Sequence, residues 1–395
     1  MHKAGAVFTL VVLVAGVALM SEQRSRTVNV GPPPIGPYSA AVRAGGLVYV
    51  SGVLATDDRG NISGGTAAEQ TAVILRRIEA VLGAAGSSLA NAASTMVYLR
   101  RAEDFAAMNE AYRAFWPADP PTRTTVVTDL VLPDALVEIS MVAIPTGGER
   151  VVVQPGDWLT SPNPYSYGIK TGDTLFLSGL VARDARDNSV VEGDVKAQLA
   201  AIMTNGGAIL RAAGLTFDDV VSAKVFLTDA ASFQNMNETY RATFATRPPA
   251  RATVRAGLAN PRHAIEVTMT AVAGPKEAVT ADGRPSPNLS AAIRVGDRLF
   301  VSGMLGASDA TRGDAGAQTR DALARIDRTL RAAGFSRADV VDGLVYLTDF
   351  ANYRPMNDVY HAFFGKDFPA RATVGAGLFN PDGLVEIMFT AVRER

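Results

Sequence analysis

Short β-prone runs and longer helical patterns alternate along the chain in an order that occurs three times. In the first copy, the runs 39–43 and 47–51 flank a Gly-Gly pair, which predicts a β-hairpin because glycine accepts the positive φ of a tight turn. Farther on, apolar residues recur at helical spacing over Ile74–Leu82. This helix is predicted to end at Gly86, since glycine can close a helix in the left-handed conformation.

A second helical pattern and three further strands complete each copy. The run Thr95–Leu99 is rich in β-prone residues and predicts a strand. Aromatic residues and methionine then recur on one face between Phe105 and Phe115, as in a helix packed on a core. Two more strands are expected to start at Arg123 and Val137. Each copy is therefore predicted to be an α+β unit of order β-β-α-β-α-β-β, with both helices on one face of a single sheet.

The repeat divides the chain into three units of similar length. Between the Ala-Ala-Gly that ends the first helix and a glutamate in the last strand, no residue is gained or lost in any copy. Such a fixed period indicates internal repeats. The predicted units are residues 28–145, 151–273 and 275–395. Because the joints are short and contain proline and glycine, the units are expected to pack side by side.

Each predicted sheet has one face that its own helices do not cover. Val48, Val97, Val137 and their neighbours indicate strands that are apolar on both faces. Three such sheets could bury their open faces against one another around a shared axis. We therefore expect one chain to form an intramolecular pseudo-trimer and to remain a monomer.

Composition narrows the classes of function. Of the 395 residues, 48% are hydrophobic and 19% are charged, as in a compact globular protein. The net charge is −1 and there is no basic stripe, so no nucleic-acid partner is expected. The chain has no cysteine, and its three histidines lie at unrelated positions of the copies. Neither a disulfide nor a repeated histidine metal site is expected.

The first twenty residues carry a different signal. Ala4–Met20 contains no charged residue, follows Lys3 and is rich in Val, Leu and Ala. This pattern is typical of a signal peptide or a membrane anchor, so residues 1–20 predict an exported or membrane-associated protein. The alternative is that translation starts at Met20, which would give a cytoplasmic protein.

Two charged residues keep their places in all three copies and are the first candidates for chemistry. An arginine follows a proline-bearing turn and starts a strand, where its forked guanidinium can bind a carboxylate. A glutamate fifteen residues later lies among apolar strand residues, so it needs a partner or a raised pKa, and the latter would suit an acid/base. The simpler alternative is an ion pair between the two on neighbouring strands. The candidates are Arg123, Glu138, Arg251, Glu266, Arg371 and Glu386.

Two polar features recur beside them. An asparagine lies inside the second helix, where it is a mediocre helix former, so its recurrence indicates a hydrogen bond to backbone or to a ligand. A Ser-Gly pair ends the second strand, where a backbone N–H could face a ligand. A serine nucleophile is not expected, because no repeated His or Lys stands nearby as its base. The residues are Asn109, Asn237 and Asn357, with Ser51-Gly52, Ser178-Gly179 and Ser302-Gly303.

Together these motifs resemble the RidA (YjgF/YER057c/UK114) reactive intermediate deaminase family. The resemblance rests on the Gly36-Pro37-Tyr38-Ser39 opening, the Ser-Gly strand end, the Ala-Ala-Gly helix stop, the Asn-x-x-Tyr helix and the Pro-Ala-Arg…Glu ending, in fixed order. It implies a chorismate-mutase-like fold in which three sheets face a central axis, with ligand clefts between neighbouring units.

The resemblance also implies a reaction and roles for residues. Members of the family hydrolyse 2-imino acids, or their enamine tautomers, to 2-keto acids and ammonia without metal or organic cofactor. Each arginine would then clamp the substrate carboxylate, and each glutamate would hold or activate the attacking water. The asparagines, the Ser-Gly backbone and Tyr38 or Tyr165 would line the cleft. The expected partner is a small imino or keto acid, and no cofactor is expected.

The sequence departs from the family pattern in the pocket wall. The glutamine that usually follows Ser-Gly is replaced by Val53, Leu180 and Met304, and the opening tyrosine becomes Leu289 in the third copy. The three clefts are therefore expected to be unequal. Two other functions stay open. One is a protein outside the cytoplasm that binds small carboxylates without this chemistry, and the other is an endoribonuclease, which the neutral charge disfavours.

Overall fold

Three α+β units follow one another along the chain. The computed structural model describes residues 26–281 and 285–394. The predicted leader at 1–20 and the alternative start at Met20 lie outside the described residues. Within the described ranges, no helix combines the length and the apolar character that crossing a bilayer requires.

Each unit places two helices on one face of a mostly antiparallel sheet. Unit 1 contains β1 (Thr27–Val28), β2 (Ala41–Ala44), β3 (Leu47–Leu54), α1 (Ala67–Ala84), β4 (Ala92–Leu99), α2 (Phe105–Arg113), β5 (Thr122–Val127) and β6 (Val137–Ala143). Unit 2 contains β7 (Val151–Val153), β8 (Gly168–Thr171), β9 (Thr174–Leu177), β10 (Leu180–Val181), α3 (Val195–Ala212), β11 (Val220–Leu227), α4 (Phe233–Thr243), β12 (Ala250–Arg255), β13 (Gly257–Leu258) and β14 (Ile265–Val272). Unit 3 contains β15 (Lys276–Val279), β16 (Ala292–Val295), β17 (Arg298–Leu305), α5 (Ala315–Ala332), β18 (Val340–Leu347), α6 (Tyr353–Phe364), β19 (Ala370–Gly375) and β20 (Val385–Val392).

The sheets share one strand order, and the predicted α+β class is confirmed. In unit 1 the order is β1-β2-β3-β6-β4-β5, with β13 of unit 2 added beyond β5. Units 2 and 3 repeat it as β7-β8-β9-β14-β11-β12 and β15-β16-β17-β20-β18-β19. The short leading strand of each unit was not predicted. Because β4 lies between β5 and β6, the arginine and the glutamate of one copy are not on neighbouring strands. The alternative of an ion pair between adjacent strands of one copy is therefore wrong.

The first helix of each unit begins at a capping side chain and ends at the predicted glycine. Thr66 Oγ1 accepts a hydrogen bond from the Glu69 N–H at 3.2 Å, and an aspartate has the same role in α3 and α5. These caps satisfy N–H groups that have no partner within the helix. At the other end, Gly86, Gly214 and Gly334 have φ of 76°, 77° and 79°, the left-handed closing conformation.

The helices of each unit pack on one face of its sheet. In unit 1, Ile74 and Leu82 of α1 and Met108 and Tyr112 of α2 are all fully buried in one cluster with strand residues. Corresponding clusters form in units 2 and 3. The aromatic and methionine stripe of the second helix therefore packs in the core, as the sequence predicts.

The other face of each sheet is buried against the other units. One apolar cluster contains Tyr98 of unit 1, Phe226 of unit 2 and Tyr346 of unit 3, which occupy equivalent positions, together with residues from β5, β12 and β19. Burial of this second face explains why the strands are apolar on both sides. The three units thus share one core that no unit could close alone.

The units meet at three boundaries, 1–2, 2–3 and 3–1, through the same backbone contact each time. A serine N–H of one unit donates to a proline carbonyl of the preceding unit in this cyclic order. The three bonds are Ser166 to Pro121 at 3.1 Å, Ser290 to Pro249 at 3.2 Å and Ser39 to Pro369 at 3.1 Å. The last of them joins the first and third units, so the ring of contacts closes within one chain.

A charged pair lies near the centre of the three sheets. Lys224 of unit 2 and Asp342 of unit 3 line a cavity of about 90 Å³. Burial raises the pKa of Asp342 to about 6, and the nearby Lys224 opposes the rise. The pKa of Lys224 is in turn lowered by burial. Unit 1 carries Met96 and Ser94 at the equivalent positions, so the pair is a point where the three copies differ.

We expect Lys224→Met to lower the free energy of unfolding by on the order of 1 kcal/mol, because the half-buried Asp342 would lose a nearby opposite charge. The double variant Lys224→Met/Asp342→Ser copies unit 1 and should recover most of the loss. Denaturant unfolding measures both variants. A double variant no more stable than the single one would show that the two charges are not coupled.

We also expect the protein to be a monomer in solution, because the three boundaries already bury the open faces of all three sheets. Light scattering should give a mass near that of one chain, 41.5 kDa. A stable assembly of three chains would contradict this expectation.

Candidate functional site

Each boundary brings the arginine of one unit to the glutamate of the next. The 1–2 cleft contains Arg123 and Glu266, the 2–3 cleft contains Arg251 and Glu386, and the 3–1 cleft contains Arg371 and Glu138. All six side chains are at most 5% exposed. The repeated residues therefore form three mixed sites, each completed by two units.

A serine hydroxyl fixes the arginine of each site across the boundary. The backbone N–H of Arg123 donates to Ser178 Oγ at 2.9 Å, and that hydroxyl donates to the Ser166 carbonyl at 2.7 Å. The other boundaries repeat the arrangement with Ser302 and Ser51, each 2.8 Å from an arginine N–H. The predicted serines thus lie at the sites, where their hydroxyls hold the units together. A role for these residues in binding substrate stays a prediction.

A tyrosine of the second helix supports each guanidinium. The arginine Cζ atom lies 4.9 Å from the ring centre of Tyr112, 4.6 Å from that of Tyr240 and 4.7 Å from that of Tyr360. Attraction between a cation and the face of an aromatic ring offsets part of the cost of burying the charge. Sequence reasoning placed these tyrosines in the core only. Each tyrosine follows the asparagine by three residues in all three copies, and this constant spacing was the signal in the sequence for a role beyond core packing.

The glycine after each serine makes room for the glutamate. A Cβ at Gly179 would lie 1.9 Å from Glu266 Oε1, and the same overlap occurs at Gly52 and at Gly303. Any larger residue would displace the carboxyl group. Each Ser-Gly pair thus has two roles. Its serine hydroxyl binds the backbone of the arginine from the neighbouring unit, and its glycine leaves space for the glutamate carboxyl of its own unit.

Burial shifts the three glutamates out of their ordinary titration range. Removal from water raises the pKa of Glu138, Glu266 and Glu386 to about 8, although the arginine of each cleft opposes the rise. A backbone N–H from Thr125 also approaches Glu266 Oε1, at 3.4 Å, and favours the charged form. A carboxyl group with such a pKa can both accept and return a proton near neutral pH.

Several buried polar atoms at the sites lack a protein partner. In the part of the chain that the structure describes, this holds for the hydroxyls of Thr125, Thr253 and Thr373, which are two residues beyond the arginines. It holds as well for Asn109 Oδ1 and for Arg251 Nε. Native proteins leave few buried polar atoms unpaired, so the repeated threonine hydroxyls point to a bound ligand or water. Sequence reasoning did not single out these threonines.

The 1–2 cleft is open. Arg123 and Glu266 line a cavity of about 290 Å³ together with Phe105, Tyr165 and the backbone of Gly179. Asn109 of α2 donates to Asn163 Oδ1 at 3.4 Å beside this cavity. The volume suits a small organic acid.

The 3–1 cleft is much narrower. Arg371 and Glu138 line a cavity of about 20 Å³ with Tyr38 and Tyr353. The Arg371 guanidinium lies 5.4 Å from the ring centre of Tyr38. Gly36 lies so close that an added Cβ would be 2.6 Å from Arg371 Nη2 and 3.3 Å from Asn357 Oδ1. The opening segment of unit 1 thus covers the arginine and the asparagine of unit 3.

The 2–3 cleft differs from both. Phe233 and Phe379 stack with ring centres 4.4 Å apart. The equivalent positions hold Phe105 and Ala259 in the 1–2 cleft, and Tyr353 and Val131 in the 3–1 cleft. Because those residues line the cavities of the other clefts, the stack lies across the equivalent space here. The stack thus occupies a region that is cavity in the 1–2 cleft.

The arginine of the 2–3 cleft also has an internal partner. Arg251 Nη2 donates to Asn237 Oδ1 at 2.7 Å. The Oδ1 atom of Asn237 thus has a side-chain partner in this cleft. The role of Asn237 in binding a ligand stays a prediction. Leu289, which lacks the phenol of Tyr38 and Tyr165, belongs to unit 3 and therefore lies on the Glu386 side of this boundary.

The matches to known proteins correspond to the three units of the chain. A family model described as Endoribonuclease L-PSP matches the chain over residues 29–145, 157–273 and 282–393. The 3-aminoacrylate deaminase RutC of Acinetobacter baylyi is 41% identical over 113 residues, which are 28% of this chain and 90% of that protein. A RutC family protein of Saccharolobus solfataricus is 41% identical over 108 residues, which are 27% of this chain and 86% of that protein.

Parts of the chain are also similar to solved structures. RidA from Psychrobacter sp. PAMC 21119 is 31% identical with a TM-score of 0.30, covering 31% of this chain and 100% of its own. A YjgF/YER057c/UK114 family member from Mycobacterium tuberculosis is 35% identical with a TM-score of 0.26, covering 30% and 100%. The three matches of the family model span most of the sequence and confirm the resemblance drawn from its motifs: the chain belongs to the Endoribonuclease L-PSP family.

Proposed function

We propose that the protein is a cofactor-independent deaminase that hydrolyses 2-imino acids, or their enamine tautomers, to 2-keto acids and ammonia. The observation that carries the proposal is a buried arginine of one unit facing a buried glutamate of raised pKa from the next. The name of the Acinetobacter relative, 3-aminoacrylate deaminase, supports a deaminase. Measuring ammonia released from 2-iminobutanoate or 2-iminopropanoate tests it directly.

In the proposed reaction, Arg123 binds the substrate carboxylate and Glu266 handles protons. In its ionised form, the carboxyl of Glu266 accepts a proton from water as the water oxygen bonds to the imine carbon, and it returns that proton to the imine nitrogen as the C=N double bond becomes single. The hydroxyl of the resulting carbinolamine then gives its proton to Glu266, which passes it to the amino nitrogen as the carbonyl forms, the C–N bond breaks and ammonia leaves. Glu266 can serve both steps because a pKa near 8 lets the group gain and lose a proton near neutral pH.

We assign most of the activity to the 1–2 cleft. It combines the full pair of charged residues with the phenol of Tyr165 and a cavity of about 290 Å³. The narrow 3–1 cleft requires the opening segment of unit 1 to move before Arg371 can be reached. The 2–3 cleft requires both the Phe233–Phe379 stack and the Arg251–Asn237 hydrogen bond to rearrange.

Binding of small carboxylates without catalysis is the second candidate function. The arginine present in every cleft favours it, because a buried guanidinium can bind a carboxylate whether or not a reaction follows. Detectable binding of a keto acid together with absence of ammonia release would support it. Endoribonuclease activity has no such support, because the net charge is −1 and the arginines of the three clefts are buried.

Replacing Arg123, Arg251 and Arg371 together by Ala should abolish imine hydrolysis, and Arg123→Ala alone should remove most of it. Loss of a buried carboxylate clamp should reduce kcat/KM by about a hundredfold, equivalent to about 3 kcal/mol, because the substrate carboxylate would be left unpaired. Arg251→Ala and Arg371→Ala should each have a smaller effect. The measurement is ammonia release from 2-iminobutanoate.

The matched control for this series is Arg186→Ala. This arginine is exposed, pairs with Asp184 at 2.8 Å, and lies outside the three clefts. Circular dichroism and thermal unfolding should show that each variant keeps its fold. A folded triple variant with full activity would refute the mechanism, whereas equal losses from the three single variants would refute the assignment to the 1–2 cleft.

The raised pKa values also predict how stability depends on pH. The folded state keeps protons on Glu138, Glu266 and Glu386 up to about pH 8, whereas the unfolded chain releases them near pH 4.5. Stability should therefore fall as pH rises through this window, by up to about 1.4 kcal/mol per pH unit for each carboxyl. A variant with all three changed to Gln should lose much of this slope in denaturant unfolding. If the two slopes are the same, these carboxyl groups titrate normally.

A further inference from the structure

The 1–2 cleft carries basic side chains that the equivalent positions of units 1 and 3 lack. Arg183 lies five residues beyond Ser178, where unit 1 has Thr56 and unit 3 has Ala307. Arg262 lies four residues before Glu266, where units 1 and 3 both have aspartate, at 134 and 382. Both arginines line the same cavity as Arg123. At these two positions, units 1 and 3 carry no basic residue.

Tyr165 connects the two guanidinium groups that face the cavity. Arg183 Nη2 donates a hydrogen bond to Tyr165 Oη at 2.7 Å, and the ring of Tyr165 lies 5.9 Å from Arg123 Cζ. The ring thus stands between the two arginines and holds Arg183 in place. A ligand bound at Arg123 would have Arg183 within the same cavity.

Two polar side-chain atoms on the wall of this cavity lack a hydrogen-bond partner among the described residues. His263 is 6% exposed and lines the cavity, and within the described ranges its Nδ1 has no hydrogen-bond partner. The same is true of Asn188 Oδ1, on a residue held at a φ of 62°. Units 1 and 3 have Ala135 and Gly383 in place of the histidine. Unpaired buried groups of this kind are expected where a polar ligand completes the site.

The charges of this cleft do not balance without a ligand. Neither Arg123 nor Arg183 forms an ion pair with a carboxylate among the described residues, and the raised pKa of Glu266 leaves it mostly uncharged at neutral pH. Arg262 pairs only with Glu192, at 3.5 Å, and both side chains are more than half exposed. One substrate carboxylate would neutralise one guanidinium and leave the other. The cleft as a whole therefore favours a ligand with two negative charges.

We propose that the 1–2 cleft selects imino acids with a second acidic group, which binds Arg183 while the 2-carboxylate binds Arg123. Arg262, at the exposed end, would attract such dianions from solution. The proposal deepens the function given above and rests on the 1–2 cleft being its principal site. The natural substrate would then be a 2-imino dicarboxylate, formed by oxidation or elimination reactions of acidic amino acids.

The first test compares two imines generated in situ by amino-acid oxidases, 2-iminosuccinate from aspartate and 2-iminobutanoate from 2-aminobutanoate. We expect the wild type to hydrolyse 2-iminosuccinate with the higher kcat/KM. Arg183→Thr introduces the residue of unit 1 and should lower that value at least tenfold, with a change of under about threefold for 2-iminobutanoate. Equal losses for both imines, or no loss, would overturn the proposal.

Two further variants guard against a merely structural effect. Arg262→Asp introduces the residue of units 1 and 3 at an exposed position, and should slow hydrolysis of 2-iminosuccinate most at low ionic strength. Arg186→Thr removes an exposed arginine outside the cleft from the same loop as Arg183, between β10 and α3, and should leave both reactions unchanged. If Arg186→Thr lowers the rates as much as Arg183→Thr does, the effect comes from a change in the loop and the proposal fails.

The affinity for keto acids tests the second anion site independently of the proposed hydrolysis. Calorimetry should show tighter binding of 2-oxoglutarate than of 2-oxobutanoate, and Arg183→Thr should remove the difference. If neither imine is hydrolysed while this preference holds, the deaminase function fails but the second anion site stands. If both imines are hydrolysed and neither the rates nor the binding depends on Arg183, the deaminase stands and the second anion site fails.

Discussion

Burial of the second sheet face is the constraint on which the rest of the structure depends. Each unit covers one face of its sheet with two helices and leaves an apolar face that water would otherwise contact. The three faces bury one another, and this packing aligns the units so that β5, β12 and β19 each start beside a strand of another unit. Because the arginines stand at those strand starts, the same packing that completes the core also assembles the sites.

The sites are built from groups that are unfavourable to bury, and each has a specific compensation. A guanidinium lies over a tyrosine ring, and its backbone N–H is held by a serine hydroxyl from the next unit. A carboxyl group fits against a glycine and stays protonated up to about pH 8. These contacts hold the charged groups in position without a ligand. Each contact is local to one boundary, so each site can change without loss of the shared core.

Joining three units in one chain lets the three boundaries diverge. A trimer of identical chains must carry the same residues at every boundary. Here two arginines and a histidine line the 1–2 cleft, a phenylalanine stack lies in the 2–3 cleft, and Lys224 and Asp342 lie at the centre, whereas the equivalent positions of the other copies differ. The backbone contacts between units remain nearly identical, with serine-to-proline bonds of 3.1–3.2 Å. The three boundaries therefore share one architecture and differ in the side chains of their clefts.

The sequence by itself determined the three copies, the α+β class, the order of elements apart from the short leading strands, the apolar second sheet face and the repeated arginine, glutamate, asparagine and Ser-Gly positions. These follow from periodicity and from turn-forming glycines, which act over a few residues. Only the tertiary structure decided that Arg123 meets Glu266 and not Glu138, because β4 intervenes within a unit and the pairing depends on how units pack. For the same reason the roles of Tyr112 under the arginine, of Gly179 beside the carboxyl and of Arg183 on the cavity wall were not visible in the sequence. Each depends on a distance between residues that are far apart in the chain, and local pattern carries no information about such distances.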